Sequence, residues 1–88
     1  MFTILFYDVN EKRCNKMLTT CRKYLTWVQN SVLEGEITEA NYERLINEIN
    51  DIIIEKDGDS VVAYKFRTTR YSTREVYGRD KKGNTQFI

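Results

Sequence analysis

Residues 2–9 read FTILFYDV, apolar or aromatic at every position but Thr3 and Asp8. That run is hydrophobic enough for a strand at the centre of a sheet. Asn10 and Glu11 then read as a helix start, a capping side chain followed by an acid in the first turn. Cys14, Met17, Leu18, Cys21 and Leu25 fall at helical spacing and make one face apolar. Lys12, Arg13, Lys16, Arg22 and Lys23 supply most of the remaining surface. Residues 26–37, TWVQNSVLEGEI, hold two short β-prone pieces, with Gln29-Asn30 as the break and Gly35 as a second bend or bulge. Thr38 caps a second helix, whose Tyr42, Leu45, Ile46, Ile49, Ile52 and Ile53 recur with a 3.6-residue period up to about Glu55. Its outer face, with Glu39, Glu43, Glu48 and Asp51, is acidic.

A turn at residues 56–59, KDGD, leads into residues 60–67, SVVAYKFR, which alternate cleanly: Val62, Tyr64 and Phe66 on one side, Val61, Ala63 and Lys65 on the other. Residues 68–73 form a loop, and residues 74–79 read as one further short strand. The order is β-α-β-β-α-β with an extra C-terminal strand. It predicts an α+β domain over residues 1–80, with two helices on one face of an antiparallel sheet in the ferredoxin-like arrangement. Residues 81–88 form a polar tail whose last two residues, Phe87 and Ile88, are apolar and suited to docking.

Composition narrows the function classes. Eighty-eight residues make one domain near the lower limit for a self-sufficient core, so oligomerisation is an expected source of further burial. Apolar residues at 41% and charged residues at 31% argue against disorder. No apolar run approaches the ~20 residues that span a bilayer, and no signal pattern follows Met1, so a cytoplasmic location without a membrane partner is expected. Histidine is absent, which removes imidazole acid–base chemistry, histidine triads and the usual zinc sites. Cys14 and Cys21 lie two helical turns apart, roughly 10 Å, too far for a disulfide, and read as small buried hydrophobes. The net charge of +1 conceals a segregation: +3 over residues 1–32, −7 over residues 33–59 and +5 over residues 60–88. Such a chain presents a basic face to a polyanion, unless the opposite segments pair with each other.

Asp8, where the first strand meets the first helix, has two readings. One is a helix cap. The other is a metal ligand at the mouth of the sheet, where water and substrate phosphates complete the shell of a hard cation and a two-fold mate supplies a second Asp8. Two such carboxylates repel unless a cation or proton sits between them. Tyr7 either stacks on a base and orients this site or belongs to the core with its hydroxyl at the edge. Arg13, Lys16 and Arg22 lie on or near the following helix, placed for phosphates or for a solvated surface. A second basic run, including Arg67, Arg70 and Arg74, is interleaved with Tyr64, Phe66, Tyr71 and Tyr77 and suits sequence-independent contact with a nucleic-acid backbone.

Three stretches together are more specific: YDVNEKR at 7–13, CRKYLTWVQNSVLEGEIT at 21–38 and SVVAYKFR at 60–67. In order, spacing and length the chain resembles the small Cas-two family of CRISPR-associated proteins over essentially residues 1–80. The resemblance implies a ferredoxin-like homodimer with both copies of Asp8 near the two-fold axis. It also implies magnesium-dependent phosphodiesterase activity on single-stranded RNA or duplex DNA, with Asp8 as metal ligand and Tyr7 beside it. A further implication is a role in spacer acquisition, as a dimeric scaffold between CRISPR integrase subunits that also holds the incoming DNA. A purely structural dimer without catalysis is the alternative. Ser31 falls in the family's SV(F/L)EG strand, and Leu33 stands where many members have phenylalanine. An RNA-recognition module shares the element order, but SVLEGEI lacks the glycine–aromatic signature of its third strand.

Overall fold

The computed structural model describes residues 1–78 of the chain. Five of the first strand's seven residues are apolar, and it takes the centre: β1 (Phe2–Asp8) lies between β3 (Val32–Glu36) and β4 (Ser60–Phe66), with β2 (Thr26–Gln29) outside β3. All pairings are antiparallel, in the order β2-β3-β1-β4. This is the expected α+β ferredoxin-like sheet. Two helices, α1 (Glu11–Cys21) and α2 (Glu39–Ile52), supply the other layer.

Alternation along β1 divides its side chains between two environments. Thr3, Leu5 and Tyr7 point to the helices and are buried, whereas Phe6 and Asp8 are exposed and Phe2 and Ile4 half-buried. Leu5, Leu33, Met17, Cys21, Leu45, Ile49 and Ile52 close the core. Each fully buried side chain of this kind contributes about 1.5–3 kcal/mol.

Capping fixes where the helices begin. The Asn10 side chain accepts from the Lys12 amide at 3.0 Å, and the Thr38 hydroxyl accepts from the Asn41 amide at 3.1 Å. Capping of α1 therefore falls to Asn10, and the capping reading of Asp8 is removed. The second helix ends at Ile52, three residues before its expected end, because the chain turns to direct the Ile54 amide at the Asp59 carboxylate, 2.9 Å away. A short 3-10 turn (Glu55–Asp57) and Gly58, at φ 87°, complete the reversal into β4.

Three details differ from expectation. Gly35 does not bend its strand: it pairs with Thr3 inside an unbroken β3, and the irregularity lies on β2 between Trp27 and Gln29. Leu25, placed on the α1 stripe by spacing, lies beyond the helix but is still buried. The additional strand over residues 74–79 is not formed among its described residues, 74–78. Strand hydrogen bonds need a partner edge, and this segment instead leaves the end of β4 and passes over the face of the sheet. There residues 69 and 72–75 wall a groove of about 650 Å³ with Phe2, Ile4, Glu34, Glu36 and Phe66. The 81–88 tail, with Phe87 and Ile88, lies outside the described residues. Among the described residues no helix is long and apolar enough to cross a membrane.

Candidate functional site

The face of the sheet away from the helices organises the site. In register across β4 and β1, Val62 opposes Phe6, Tyr64 opposes Ile4, Phe66 opposes Phe2 and Ser60 opposes Asp8. The C-terminal segment covers the Phe2–Phe66 end of this face, where the Arg74 guanidinium meets the buried Glu34 carboxylate at 2.6 Å. The other end is bare. Phe6, Val62 and Tyr64 remain 41, 49 and 55% exposed, with the Phe6 and Tyr64 rings edge to face at 6.0 Å. Asp8 stands at the tip of this bare end, exposed, and its carboxylate makes no hydrogen bond or ion pair among the described residues.

Tyr7, expected beside Asp8 as a catalytic partner, is separated from it by the same alternation. It is buried among the core residues on the helix face, and burial pushes its phenol above the ordinary value. In this geometry Tyr7 is a core residue and does not share the face of Asp8. Arg13 is likewise engaged within the fold. Its Nε and Nη2 donate to the two Asp59 carboxylate oxygens at 2.6 and 3.1 Å, and Nη2 also reaches Asp57 at 3.0 Å. With two acids on one guanidinium, little charge is left for a phosphate.

Asp59 carries no exposed side-chain surface. Beyond Arg13 it accepts from the Asn10 amide at 2.8 Å and from the Ile54 amide at 2.9 Å. Arg13 first, then these amides, hold its carboxyl well below the usual carboxylate range, against the opposing effect of desolvation. Sequence reasoning passed over this residue as part of a turn, because its partner Arg13 lies 46 positions away.

Lys16, Arg22, Arg67 and Arg70 are exposed and form no ion pair among the described residues; Arg22 lies over the Trp27 ring at 5.8 Å and Arg70 over Tyr71 at 5.5 Å. Because β4 runs antiparallel to β1, Arg67, Arg70 and Arg74 follow the strand end opposite Phe2, not the end opposite Asp8. One chain therefore does not gather all the basic candidates around the acid. The charge segregation resolves both ways: Arg13 with Asp57 and Asp59, Lys23 with Glu48 and Arg74 with Glu34 join opposite segments, while the four cations above stay open. Both cysteines are free thiols; Cys21 is buried, which pushes its pKa up to about 11, and Cys14 is half-buried.

Among the described residues no three carboxylates or cysteines come together as a metal cage. At the bare end of the sheet face the described residues offer one unengaged hard-oxygen donor, Asp8. Two carboxylates with waters and phosphate oxygens fit magnesium, which keeps several waters and seldom takes an all-protein cage.

A family model described as "CRISPR associated protein Cas2" matches residues 1–74. The chain is 54% identical over its full length to the whole of the CRISPR-associated endoribonuclease Cas2 of Dictyoglomus turgidum. It is 48% identical, again over its full length, to 99% of the protein so named in Thermotoga maritima. Among solved structures, one titled "Crystal structure of cas2" superposes with a TM-score of 0.82 at 38% identity, covering 100% of this chain and 98% of the other.

Proposed function

The chain belongs to the Cas2 family of CRISPR-associated proteins, and from that premise we propose that it works as a homodimer joined through its open sheet faces, scaffolding spacer acquisition and cleaving phosphodiesters at paired Asp8 carboxylates. The observation that carries the reading is the position of Asp8, exposed and without a side-chain partner among the described residues, beside the exposed Phe6, Val62 and Tyr64. Stacking two such faces buries the aromatic patch and brings each Asp8 toward the axis. Contiguous apolar surface of this kind marks an interaction site.

In the cleavage step, water adds to phosphorus and one P–O bond breaks, the oxygen leaving as a hydroxyl once protonated. Magnesium, when bound, supplies positive charge that polarises a phosphoryl oxygen and acidifies water. The two Asp8 side chains would hold it, and their fixed place on the strand tips orients the reacting group. Of the helix cations, Lys16 and Arg22 are open to flanking phosphates, in preference to Arg13. Arg67 and Arg70 would hold duplex further along the surface by contacts that carry no sequence information. Support for RNA as a substrate is the name borne by the relatives; support for the integrase partner is the family resemblance.

The scaffold is the cellular role in this reading, and cleavage is a property of the dimer. A dimer without catalysis is the second reading, favoured by the single carboxylate per chain. Purified wild-type protein and Asp8→Asn decide between them in assays on single-stranded RNA and duplex DNA, with and without magnesium, beside integrase binding. Loss of cleavage by about 100-fold or more with the dimer and integrase binding retained is expected. Wild-type protein inert under all conditions leaves only the structural dimer, and cleavage unchanged in Asp8→Asn removes Asp8 from the cleavage step.

A further inference from the structure

Asp59 makes more of its surroundings than a turn residue needs to. Its carboxylate accepts four hydrogen bonds: the Asn10 amide and Arg13 Nη2 on Oδ1, and Arg13 Nε and the Ile54 amide on Oδ2. These donors come from three places, the start of α1, its first turns and the exit from α2. Asp59 itself immediately precedes Ser60, the residue opposite Asp8 in the last pair of the β1–β4 ladder. Asp8 is therefore tied on two sides. Across the ladder it faces Ser60, whose neighbour is Asp59; two residues ahead of it, the Asn10 amide is bonded to the same Asp59.

We infer that Asp59 is a positioning residue for Asp8, holding the loop between β1 and α1 against the start of β4 so that the Asp8 carboxylate is presented in one place. The ladder to Ser60 and the Tyr7 amide's bond to the Ser31 carbonyl at 3.1 Å hold the backbone of this strand tip, but a single residue, Val9, separates it from the capping residue, and Asp8 has no side-chain partner of its own among the described residues. A carboxylate that must meet its two-fold mate around a cation gains from being held before the cation arrives. Arg13 acts from behind, as the counter-charge that keeps Asp59 ionised in its buried place. Its position near the acid in sequence thus serves the acid's placement and not the substrate.

The inference rests on the metal-site reading of Asp8 above, and the experiment separates the two. Asparagine at 59 keeps the volume but replaces one acceptor oxygen by an NH₂ group, so two of the four bonds are lost in either orientation. Asp59→Asn, Asp8→Asn and Ile49→Val, a core change on α2 that controls for lost stability, are compared with wild type as full-length protein, well below their melting points. Two quantities are read: Mn²⁺ affinity by electron paramagnetic resonance, and kcat and KM for magnesium-dependent cleavage of single-stranded RNA. The expected result is an intact Asp59→Asn dimer with Mn²⁺ affinity and kcat each lowered at least tenfold and KM within about threefold. Ile49→Val matches wild type. Wild-type values in Asp59→Asn, or equal losses in Ile49→Val, overturn the positioning role and leave the Asp8 site standing. If Asp8→Asn itself changes neither quantity, the metal-site reading fails and this inference with it.

Discussion

Phe6→Ala tests the open face most directly, because every substitution in a two-fold dimer occurs twice. Phe6 retains 41% of its surface in the single chain and touches Tyr64 edge to face. A phenylalanine carries roughly 200 Å² of surface, so about 80 Å² is available for burial, of which alanine keeps about a quarter. Two copies then forfeit about 120 Å², or about 3 kcal/mol at 25 cal/mol per Å². That corresponds to a dimer Kd weakened by about two decades. The monomer should suffer little, since Phe6 lies outside the buried core. Sedimentation velocity over a dilution series gives Kd, and thermal melting at high protein concentration checks the fold. RNA cleavage measured over the same series should follow the dimer fraction, because one Asp8 alone is an incomplete site. A Kd within threefold of wild type would refute the stacked-face dimer. So would cleavage that persists in monomer at concentrations far below Kd.

Arg67→Gln with Arg70→Gln should weaken duplex DNA binding and reduce the slope of log K against log salt by about two for each protomer that meets the duplex, read by fluorescence anisotropy from 50 to 300 mM salt; an unchanged slope places the DNA elsewhere. The Asp59 carboxyl is depressed in the fold, so the stability it contributes is present above the ordinary carboxylate range and is lost as pH falls through that range toward its lower folded value. Arg13 is the first cause of that depression. In Arg13→Gln the folded carboxyl lies closer to its unfolded value, so the acid-side loss, measured by urea unfolding from pH 7 to pH 3, should be smaller than in wild type; an equal loss would exclude the Arg13–Asp59 pair as its source.

How far the sequence reveals this molecule depends on the range over which its signals act. The central place of β1 follows from a run apolar on both faces, and both helix starts follow from Asn10 and Thr38, signals confined to three or four residues. Strand alternation separates Tyr7 from Asp8 as soon as the strand is accepted, so the core place of Tyr7 was legible and was outweighed by adjacency to the acid. β4 is different. Both of its faces are apolar enough for a core, with Val61 and Ala63 on one and Val62, Tyr64 and Phe66 on the other. Only the helices' choice of side shows that the bulkier set is left bare. Asp59 was out of reach altogether, since its partners are 5, 46 and 49 positions away and no local pattern couples them. The strand expected over residues 74–79 has the alternation, but its described residues, 74–78, run over the face of the sheet and join neither edge strand, β2 nor β4.

A bare acid at the rim of an apolar face opposes the very association the face favours, and this yields a prediction specific to the paired arrangement. If both copies of Asp8 meet across the axis, their mutual repulsion weakens the metal-free dimer. Two unit charges about 5 Å apart repel by about 1–3 kcal/mol for effective dielectric constants between those of water and a protein surface. A cation between them removes that repulsion, and by linkage the gain in dimerisation equals the gain in cation affinity on dimerising. Magnesium should therefore tighten the wild-type dimer by roughly 5- to 100-fold, beyond the effect of calcium-free sodium chloride at matched ionic strength. Asp8→Asn should dimerise as tightly without magnesium as wild type does with it, and should not respond to the ion. Equilibrium sedimentation of both proteins, with and without magnesium, reads all four constants. A wild-type dimer indifferent to magnesium, or an equal response in Asp8→Asn, would place the two acids too far apart to share a cation, and the face would then hold its dimer together without building a site.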